Sequence, residues 1–455
     1  MDTVPDTPQE AEPSELVVGL SDIHLGAFNS PWTFFFDEDD PRVRQAFCND
    51  AVQLAALKPT AAWALCEALG RSIESETNEA AGGGTQGLRR VLVLNGDILD
   101  LSLAPMALAL LNARCFFFWV QTMGFDEVIF VPGNHDHHLW RMVLESRALA
   151  SAVSGGRGTY PRVTETPTEA PALASLLGYA QPLKFVYPHY IHTVAGSDRK
   201  GRGKWDVVFH HGHLLQRWWT LFSTLLPPEH VKGPSLNDLE TINEPLTELL
   251  WFAVGDAGRL SDVVSRLYTG VSDKERLTLE LKDVMREVVA GLGKWGVQFP
   301  WWVHKKFIHA VLGAMARRIA MPPDESNGAS IAASSMRGLE LNDVLRRSVK
   351  EYRNRYASLA KSCFVLGHTH RTQSTMGGDH SLNFGMRDLE LEAANETTTN
   401  GADDIFNTGG WVVEPGTANP DSSYFLLVGS ILRLVPVTIP QAALDTARQY
   451  SSLSA

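Results

Sequence analysis

Five short clusters of polar residues along the chain carry side chains that bind metal ions or transfer protons. They include carboxylates, imidazoles and an amide, the mixed oxygen and nitrogen ligands that suit borderline divalent metals such as manganese, iron and zinc. No cluster contains a cysteine. The residue types therefore predict a divalent metal site without thiolate ligands. The clusters are Ser21-Asp22-Ile23-His24, Gly96-Asp97-Ile98-Leu99-Asp100, Gly133-Asn134-His135-Asp136, His210-His211-Gly212-His213 and Gly367-His368-Thr369-His370.

The spacing within the clusters favours a shared site. Asp22 and His24 are two residues apart, as are His368 and His370, so both members of each pair can point the same way from an extended strand end. Taken singly, each cluster is better explained as a turn, a helix cap or a polar loop. Because five such clusters occur in one chain, a metal site is the favoured interpretation.

An apolar run precedes each cluster, and its length predicts a buried strand of about four to six residues. The carboxyl ends of strands form the usual site of open α/β sheets, so we expect all five clusters at one edge of a sheet. The runs are Leu16–Leu20, Val91–Leu94, Val128–Val131, Val207–Phe209 and Phe364–Leu366.

Other patterns predict the elements around these strands. Helical patterns at Val43–Ile73 and Leu103–Met123 alternate with the first strands, which is typical of α/β proteins. Loops are predicted at Glu79–Gly87 and Ser154–Thr168, where glycine and other loop-forming residues are frequent. Late in the chain, strands are predicted within Asp404–Val413 and Ser423–Val437, and a short helix after Pro440.

The long interval between the fourth and fifth clusters is mostly helical in pattern and predicts an insertion. Its best example, Ser272–Gly291, has a capping serine, one apolar face and a terminal glycine. The predicted units are a flexible tail at 1–15, the first part of the main domain at 16–222, the helical insertion at 223–355, the second part of the main domain at 356–440 and a tail at 441–455.

The mostly helical interval from about Leu214 to Ala360 holds six of the twelve tryptophans. Tryptophan suits an interface between apolar and wet surroundings, so one hypothesis is a cap that selects a substrate with an apolar part. The alternative is that these rings fill the insertion's own core. The six are Trp218, Trp219, Trp251, Trp295, Trp301 and Trp302.

Charge and composition argue against a nucleic-acid partner and against export or membrane insertion. The 455-residue chain has a formal net charge of -12, which disfavours a nucleic-acid partner because no broad basic surface is present. The four scattered cysteines form no disulfide framework, the start lacks a secretory signal, and the most apolar stretch is interrupted by Asn112 and Arg114. We therefore expect a cytoplasmic protein without a transmembrane segment; peripheral membrane contact and the oligomeric state stay open.

In their order along the chain, the clusters resemble the calcineurin-like metallophosphoesterase family, whose signature is DxH, GDxxD, GNH(D/E), a later histidine motif and GHxH. The resemblance covers Leu16–His213 and Ser362–His370. It implies an α/β fold, a four-layer αββα sandwich in which two packed mixed sheets are flanked by helices. It also implies hydrolysis of a phosphate ester or anhydride of a small molecule by a metal-bridging hydroxide.

The resemblance also implies roles for individual residues. Two divalent ions are expected, with manganese favoured over iron and zinc. Asp22, His24 and His370 would hold one metal, Asn134, His211 and His368 the other, and Asp97 would bridge both. In the fourth cluster, His211 is favoured because it precedes the glycine, while His210 and His213 stay open as alternative ligands.

His135 and Asp100 are the expected catalytic residues. By resemblance, His135 protonates or stabilises the leaving oxygen, and Asp100 fixes the imidazole. The alternative for Asp100 is a helix N-cap before Leu101. Leu101 also stands where the protein phosphatases of the superfamily have an arginine, which disfavours a protein substrate. Guanidinium contacts to phosphate could instead come from Arg141, Arg217 or Arg371, unless these are ordinary surface charges.

Two classes of function follow from these observations. The first is a metal-dependent phosphoesterase acting on a monoester, a diester or a pyrophosphate. The second is a scaffold or binding protein that keeps the fold without catalysis. Every expected ligand position is filled and His135 is present, so the enzyme is favoured.

Overall fold

The computed structural model describes the strands and helices of the predicted main domain and one helix of the predicted insertion. The described residues are 15–33, 35, 60–83, 85–101, 104, 106–156, 161–194, 205–215, 236–248, 362–368, 370, 372–376, 380–381, 389–390, 404–413, 420, 422–429 and 431–453. The N-terminal tail up to residue 14 lies outside this part. So do the helix predicted at Ser272–Gly291, the six tryptophans between the fourth and fifth clusters, Arg217 and Arg371.

An eight-stranded mixed sheet forms the first layer of strands. Its centre is a parallel set that pairs in the order β1-β2-β3-β5, and antiparallel strands extend it on both sides. In spatial order the strands are β11 (Leu389–Glu390), β14 (Ile431–Pro436), β13 (Ser423–Val428), β1 (Glu15–Leu20), β2 (Arg89–Asn95), β3 (Glu127–Val131), β5 (Leu183–Tyr187) and β4 (Thr164–Glu169).

A six-stranded mixed sheet forms the second layer. Its three central strands are parallel, and the strands on either side of them are antiparallel. In spatial order they are β10 (His380–Ser381), β9 (Thr372–Met376), β12 (Asp404–Thr408), β8 (Ser362–Leu366), β7 (Trp205–His210) and β6 (His189–Val194).

Six helices are described, and most of them contribute to the core on one face of the eight-stranded sheet. They are α1 (Ala61–Ala80), α2 (Met106–Thr122), α3 (His137–Val153), α4 (Pro171–Leu176), α5 (Leu236–Thr247) and α6 (Gln441–Leu453). None of the helices among the described residues has the length and apolar character needed to cross a membrane.

Alternating side chains of the central strands divide the apolar core in two. Val18 and Leu92 belong to the cluster that packs against the helices, whereas Val17 and Val93 belong to the cluster shared with the second sheet. This alternation follows from the two-residue period of a strand. The eight-stranded sheet is therefore buried on both faces, which explains why its parallel strands read as continuous apolar runs.

The structure confirms the five predicted strands, the helix predicted at Leu103–Met123, the hairpin predicted at Ser423–Val437 and the helix after Pro440. One expectation is wrong in detail: the five strands do not share one sheet. The first three lie in the eight-stranded sheet and the last two in the six-stranded sheet. Side-chain period and run length do not specify which sheet a strand joins.

Two boundaries also differ from the sequence prediction. The predicted loop Ser154–Thr168 contains most of β4, an edge strand that pairs irregularly with β5. The glycines and Pro161 that suggested a loop all precede this strand, and an edge strand tolerates its central Pro167 because one side of its backbone needs no partner. The first predicted helix ends at Ala80 in the structure, not at Ile73.

The two sheets meet closely at Gly19, one residue before the end of β1. A Cβ atom added there would lie 2.8 Å from Cε1 of Phe209 in the other sheet and 3.2 Å from Cβ of Phe425. Glycine at this position allows the Phe209 ring to reach the backbone of β1. We therefore expect Gly19→Ala to overpack the interface and to cost about 1–3 kcal/mol of stability.

The measurement is the denaturant midpoint of unfolding, with Phe209→Leu as a second change that shortens the opposing side chain. The double variant should be more stable than the sum of the two single losses predicts. Gly70→Ala in α1 is the matched control, because its nearest neighbour is the flexible sulfur of Met123 at 3.2 Å and alanine favours the helix. Full stability of Gly19→Ala would contradict this packing.

Candidate metal centre

The polar clusters meet where β1, β2 and β3 of one sheet and β7 and β8 of the other end. The backbone after β1 continues alongside the backbone after β2. The amide of Asp22 donates to the Gly96 carbonyl at 3.0 Å, and the amide of His24 donates to the Asp97 carbonyl at 2.9 Å. These two bonds bring the first two clusters into contact, although more than seventy positions separate them.

Five of the predicted metal ligands have a left-handed backbone conformation, with φ between 52° and 69°. Among the described residues they are the only non-glycine residues with positive φ. Each such residue costs on the order of 1–3 kcal/mol, which the surrounding structure must offset, and such residues are frequent at functional sites. The five are Asp22, His24, Asp97, His368 and His370.

Asp22, His24 and His370 form the first ligand group, with one donor atom from each lying within 4.8 Å of the others. Nε2 of His24 lies 3.1 Å from Nε2 of His370, which lies 3.6 Å from Oδ1 of Asp22. The amide of His368 donates to both oxygens of Asp22, at 2.8 and 2.9 Å, and orients the carboxylate. The group therefore joins the first and fifth clusters.

Asp97, His211 and His368 form the second group. Nε2 of His211 lies 3.1 Å from Oδ2 of Asp97 and 3.2 Å from Oδ1 of Asn134. Asn134 is the remaining ligand predicted for this metal. The second, third, fourth and fifth clusters thus meet here.

Asp97 lies between the two groups and is 1% exposed. Its Oδ2 atom is 3.1 Å from His211 and 3.9 Å from His24, one histidine of each group. Burial alone would raise the pKa of Asp97, but the charges of His211 and His135 outweigh it and hold the pKa well below its usual range. Asp97 is therefore an anion in the position expected of a bridging ligand.

The atoms facing each other in the second group need a cation between them. Nδ1 of His211 lies 3.2 Å from the Asn95 carbonyl, which only accepts, so Nδ1 carries the proton. Nε2 then faces two further acceptors on Asp97 and Asn134. Burial lowers the pKa of His211, but the Asp97 charge outweighs it and raises the pKa to about 9, so a proton occupies this place when no metal does. A divalent cation would fit the same atoms.

Nε2 of His368 is a second indication. It is buried and has no hydrogen-bond partner in the described part of the chain. A buried nitrogen without a partner costs about 1–3 kcal/mol unless something binds it. As a member of the second group, His368 would satisfy this nitrogen by binding a cation.

Three cluster glycines allow the loops to approach this closely. A Cβ on Gly96 would lie 2.4 Å from the ring of His211, on Gly133 it would lie 2.2 Å from Oδ1 of Asp97, and on Gly367 2.3 Å from Oδ2 of Asp22. In each case the neighbour is a predicted ligand from a different cluster. The glycines therefore leave space for the ligands of neighbouring loops.

His135 lies at the edge of the first group and contacts Asp100. Nδ1 of His135 is 3.2 Å from Oδ1 of Asp100, whose Oδ2 is 3.3 Å from Nδ1 of His24. Asp100 is not an N-cap of the next helix, which begins at Met106. The structure thus brings together the predicted catalytic pair. A donor atom of His135 is also within 4.8 Å of donor atoms of His24 and Asp97, so ligation by His135 is geometrically open.

Asp136 has a structural role that the sequence did not reveal. Its carboxylate accepts from the amides of Gly133 and Ile98 at 2.7 and 2.8 Å and joins the second and third clusters. Burial and the nearby Asp97 raise the pKa of Asp136 to about 7. Its place at the end of the GNHD motif was the only available signal.

Helix α5, from the predicted insertion, packs beside this site through buried ionic contacts that the sequence also did not reveal. His137 lies 2.6 Å from both Glu240 and Glu248. Burial lowers the pKa of His137, but the two carboxylates outweigh it and raise the pKa to about 10. Arg141 pairs with Glu244 at 2.5 Å. The Arg141 guanidinium is thus occupied by carboxylates, including that of Glu145 at 2.9 Å.

The chain matches no protein-family model, and comparison with curated proteins gives no match either. The functional assignment therefore depends on the residues of the centre and their geometry.

The contact between Asp100 and His135 predicts a change in the protonation of metal-free protein. Burial lowers the pKa of His135, but the charges of Asp100 and Asp97 outweigh it and raise the pKa from 6.5 to about 9. A pKa raised on folding stabilises the protein below pH 6.5, and this contribution is lost as the pH rises through about 9. In chelator-treated protein, Asp100→Asn should lower the pKa of His135. The free energy of unfolding of this variant should therefore fall less than that of the wild type between pH 6.5 and about 9.

The measurement is a pH titration of histidine ring signals by NMR, with unfolding midpoints over the same range. Asp206→Asn is the control, because Asp206 is also buried but contacts Thr193 in the β6–β7 hairpin. An unchanged His135 titration in Asp100→Asn would show that the carboxylate does not act on this imidazole.

Proposed function

We propose that the chain is a metal-dependent phosphoesterase of the calcineurin-like class, which hydrolyses a phosphate ester or anhydride of a small molecule. One observation carries the proposal: seven side chains from five strand ends in two sheets converge in two adjacent ligand groups, with Asp97 of the second group 3.9 Å from His24 of the first. The membership of the groups agrees with the division that the family resemblance implies. Sequence order and spatial convergence thus support the same assignment.

We further propose the four-layer αββα sandwich of that family. The described residues supply helices, an eight-stranded sheet and a six-stranded sheet, with apolar clusters between successive layers. Val208, Phe364 and Leu366 alternate with the residues facing the first sheet and are buried as well. Their burial supports a covering layer on the outer face of the second sheet.

The proposed cofactors are two divalent metal ions, with manganese favoured over iron or zinc. The mixed carboxylate, amide and imidazole set fits these metals. When bound, the pair would supply Lewis acidity and an activated water for attack on phosphorus. Asp22, His24 and His370 would hold one ion, Asn134, His211 and His368 the other, and Asp97 both.

In this proposal His135 holds a proton for the departing oxygen. Asp100 fixes the ring through Nδ1, so Nε2 can face the substrate. The negative charge of Asp100 also favours the protonated imidazole. His24 shares the same carboxylate through Nδ1, so Asp100 orients a ligand and the proposed acid together.

The substrate is proposed as a small phosphate compound, with a monoester, a diester and a pyrophosphate all compatible with the centre. The net charge of -12 supports neither a nucleic acid nor another extended anion as the partner. Helix α5 belongs to the predicted insertion and lies beside the centre through His137, Glu240 and Glu248, which supports a cap that selects the substrate. The four scattered cysteines form no recognisable disulfide framework, which is compatible with the proposed cytoplasmic location.

A scaffold that keeps the fold without catalysis is the alternative function. A scaffold has no need for strained ligand residues or for buried nitrogen atoms without partners. The left-handed backbone at five predicted ligands and the unpartnered Nε2 of His368 therefore favour the enzyme.

The position of Asp97 predicts that Asp97→Asn lowers the occupancy of both metals together. The amide removes the negative charge that lies between the two groups, so we expect substoichiometric metal and loss of hydrolysis by at least about a hundredfold. The measurement is metal content after purification without chelator, with hydrolysis of an aryl phosphate and an aryl phosphodiester. Asp206→Asn is the control and should retain both metals. Normal metal content and turnover in Asp97→Asn would refute the bridging role.

The contact of His135 with Asp100 predicts selectivity for the leaving group. Basic alkoxides need a proton as they depart, whereas a nitrophenolate does not, so His135→Ala should slow alkyl esters by about a hundredfold and activated aryl esters much less. Asp100→Asn should show the same trend with a smaller loss.

The measurement is the dependence of rate on leaving-group basicity, with metal content determined in parallel. His138→Ala is the control, since His138 pairs with Glu248. If the dependence does not steepen in His135→Ala, or if the variant loses metal, His135 acts as a ligand or a phosphate contact.

A further inference from the structure

A chain of buried hydrogen bonds runs from helix α5 to the candidate metal centre. Oε2 of Glu240 lies 2.8 Å from the hydroxyl of Tyr187, which lies 3.0 Å from Nε2 of His213. The three residues are between 0% and 3% exposed. His213 follows His211 by two residues, and their ring centroids are 5.6 Å apart. This relay, made of Glu240, Tyr187 and His213, therefore ends beside a predicted ligand.

The directions of these hydrogen bonds are fixed by their chemistry. The Glu240 carboxylate accepts, and its other oxygen already contacts His137 at 2.6 Å. The Tyr187 hydroxyl must therefore donate to Glu240, and its oxygen is left to accept from His213. Nε2 of His213 consequently carries a proton, which leaves the lone pair of the neutral ring on Nδ1.

Nδ1 of His213 is buried and has no hydrogen-bond partner in the described part of the structure. A buried acceptor without a donor costs about 1–3 kcal/mol, so such an atom calls for a bound donor. The ring lies beside those of His211 and His368, with its centroid 5.6 Å from the first and 6.5 Å from the second. Its nitrogen atoms do not belong to the ligand groups among the described residues. His213 therefore lies next to the predicted metal ligands and is not one of them.

We propose that Glu240 and Tyr187 are positioning residues that fix His213 in one tautomer, so that Nδ1 accepts a hydrogen bond from a water molecule or a ligand hydroxyl in the candidate metal centre. The inference rests on the proposed function only for the identification of the centre as a metal site. The tautomer of His213 follows from the hydrogen bonds and does not depend on that function. It gives α5 a second role besides covering the site, because the helix supplies the carboxylate that orients the relay.

The attachment of α5 explains how Glu240 can hold this position. Beside Glu240, His137 also contacts Glu248, and Glu244 contacts both Arg141 and Arg162, at 2.5 and 3.0 Å. These pairs lie on α3 and on the segment before β4. The Glu240 carboxylate is thus held by partners of opposite charge on a rigid element, as an orienting group requires.

The direct test is the tautomer of His213, read from long-range nitrogen–proton NMR spectra of histidine-labelled protein and assigned with His213→Gln. The wild-type protein, treated with chelator, should carry the ring proton on Nε2. Tyr187→Phe should abolish this fixed tautomer, and Glu240→Gln should weaken it. The control is Tyr190→Phe, which removes the 3.3 Å contact to Nδ1 of His192 in the β6–β7 hairpin and should leave His213 unchanged. A ring proton on Nδ1 of His213 in wild type would overturn the inference.

Addition of Zn²⁺ alone, and then of inorganic phosphate, identifies the donor. A shift of the Nδ1 signal on Zn²⁺ addition identifies a water molecule as the donor, and a shift only after phosphate identifies a ligand hydroxyl. No shift at either step overturns the role as an acceptor. Tyr187→Phe should also weaken Zn²⁺ binding by about tenfold, the lower end of the range for outer partners of metal ligands. Failure of wild type to bind Zn²⁺ would instead refute the proposed function, while the tautomer could still be read.

Discussion

The buried carboxylate of Asp97 imposes the main constraint on this structure. It lies at the junction of two sheets with His24 on one side and His211 on the other, and both sides present further acceptors. Hydrogen-bond acceptors that are buried together, away from water, repel each other unless cations lie between them. Protonated histidines can supply part of that charge, as the raised pKa of His211 indicates. Two divalent cations would supply it more completely, and the proposed activity follows from that physical need.

Much of the surrounding backbone is shaped by this convergence. The ligands after β1, β2 and β8 adopt left-handed conformations, and the glycines of three clusters provide the space that their side chains occupy. Away from the centre the same strands obey ordinary rules, with alternating side chains that face the helices or the second sheet. The tight packing of Gly19 against Phe209 fixes the separation of the sheets near the ligand loops.

The sequence predicted the features that depend on local pattern. Apolar runs located the strands, and the residue types of the clusters predicted candidate ligands, which the structure brings close together. It could not assign the strands to two sheets, because a two-residue period carries no information on the partner strand. Contacts such as His137 with Glu240, more than a hundred residues apart, depend on tertiary placement. The strand β4 was missed because the glycines and Pro161 just before it indicate a loop, and the predicted loop extended too far, to Thr168.

The central claim is that Asp97 joins two metal sites. The most direct measurement is a crystal structure of the protein loaded with Mn²⁺, with anomalous differences recorded to locate the ions without reference to the assigned ligands. The account predicts two anomalous peaks, one beside Asp22, His24 and His370, the other beside Asn134, His211 and His368, each within coordinating distance of Asp97. A single peak that does not contact Asp97, or no peak in this centre at full Mn²⁺ loading, would contradict it.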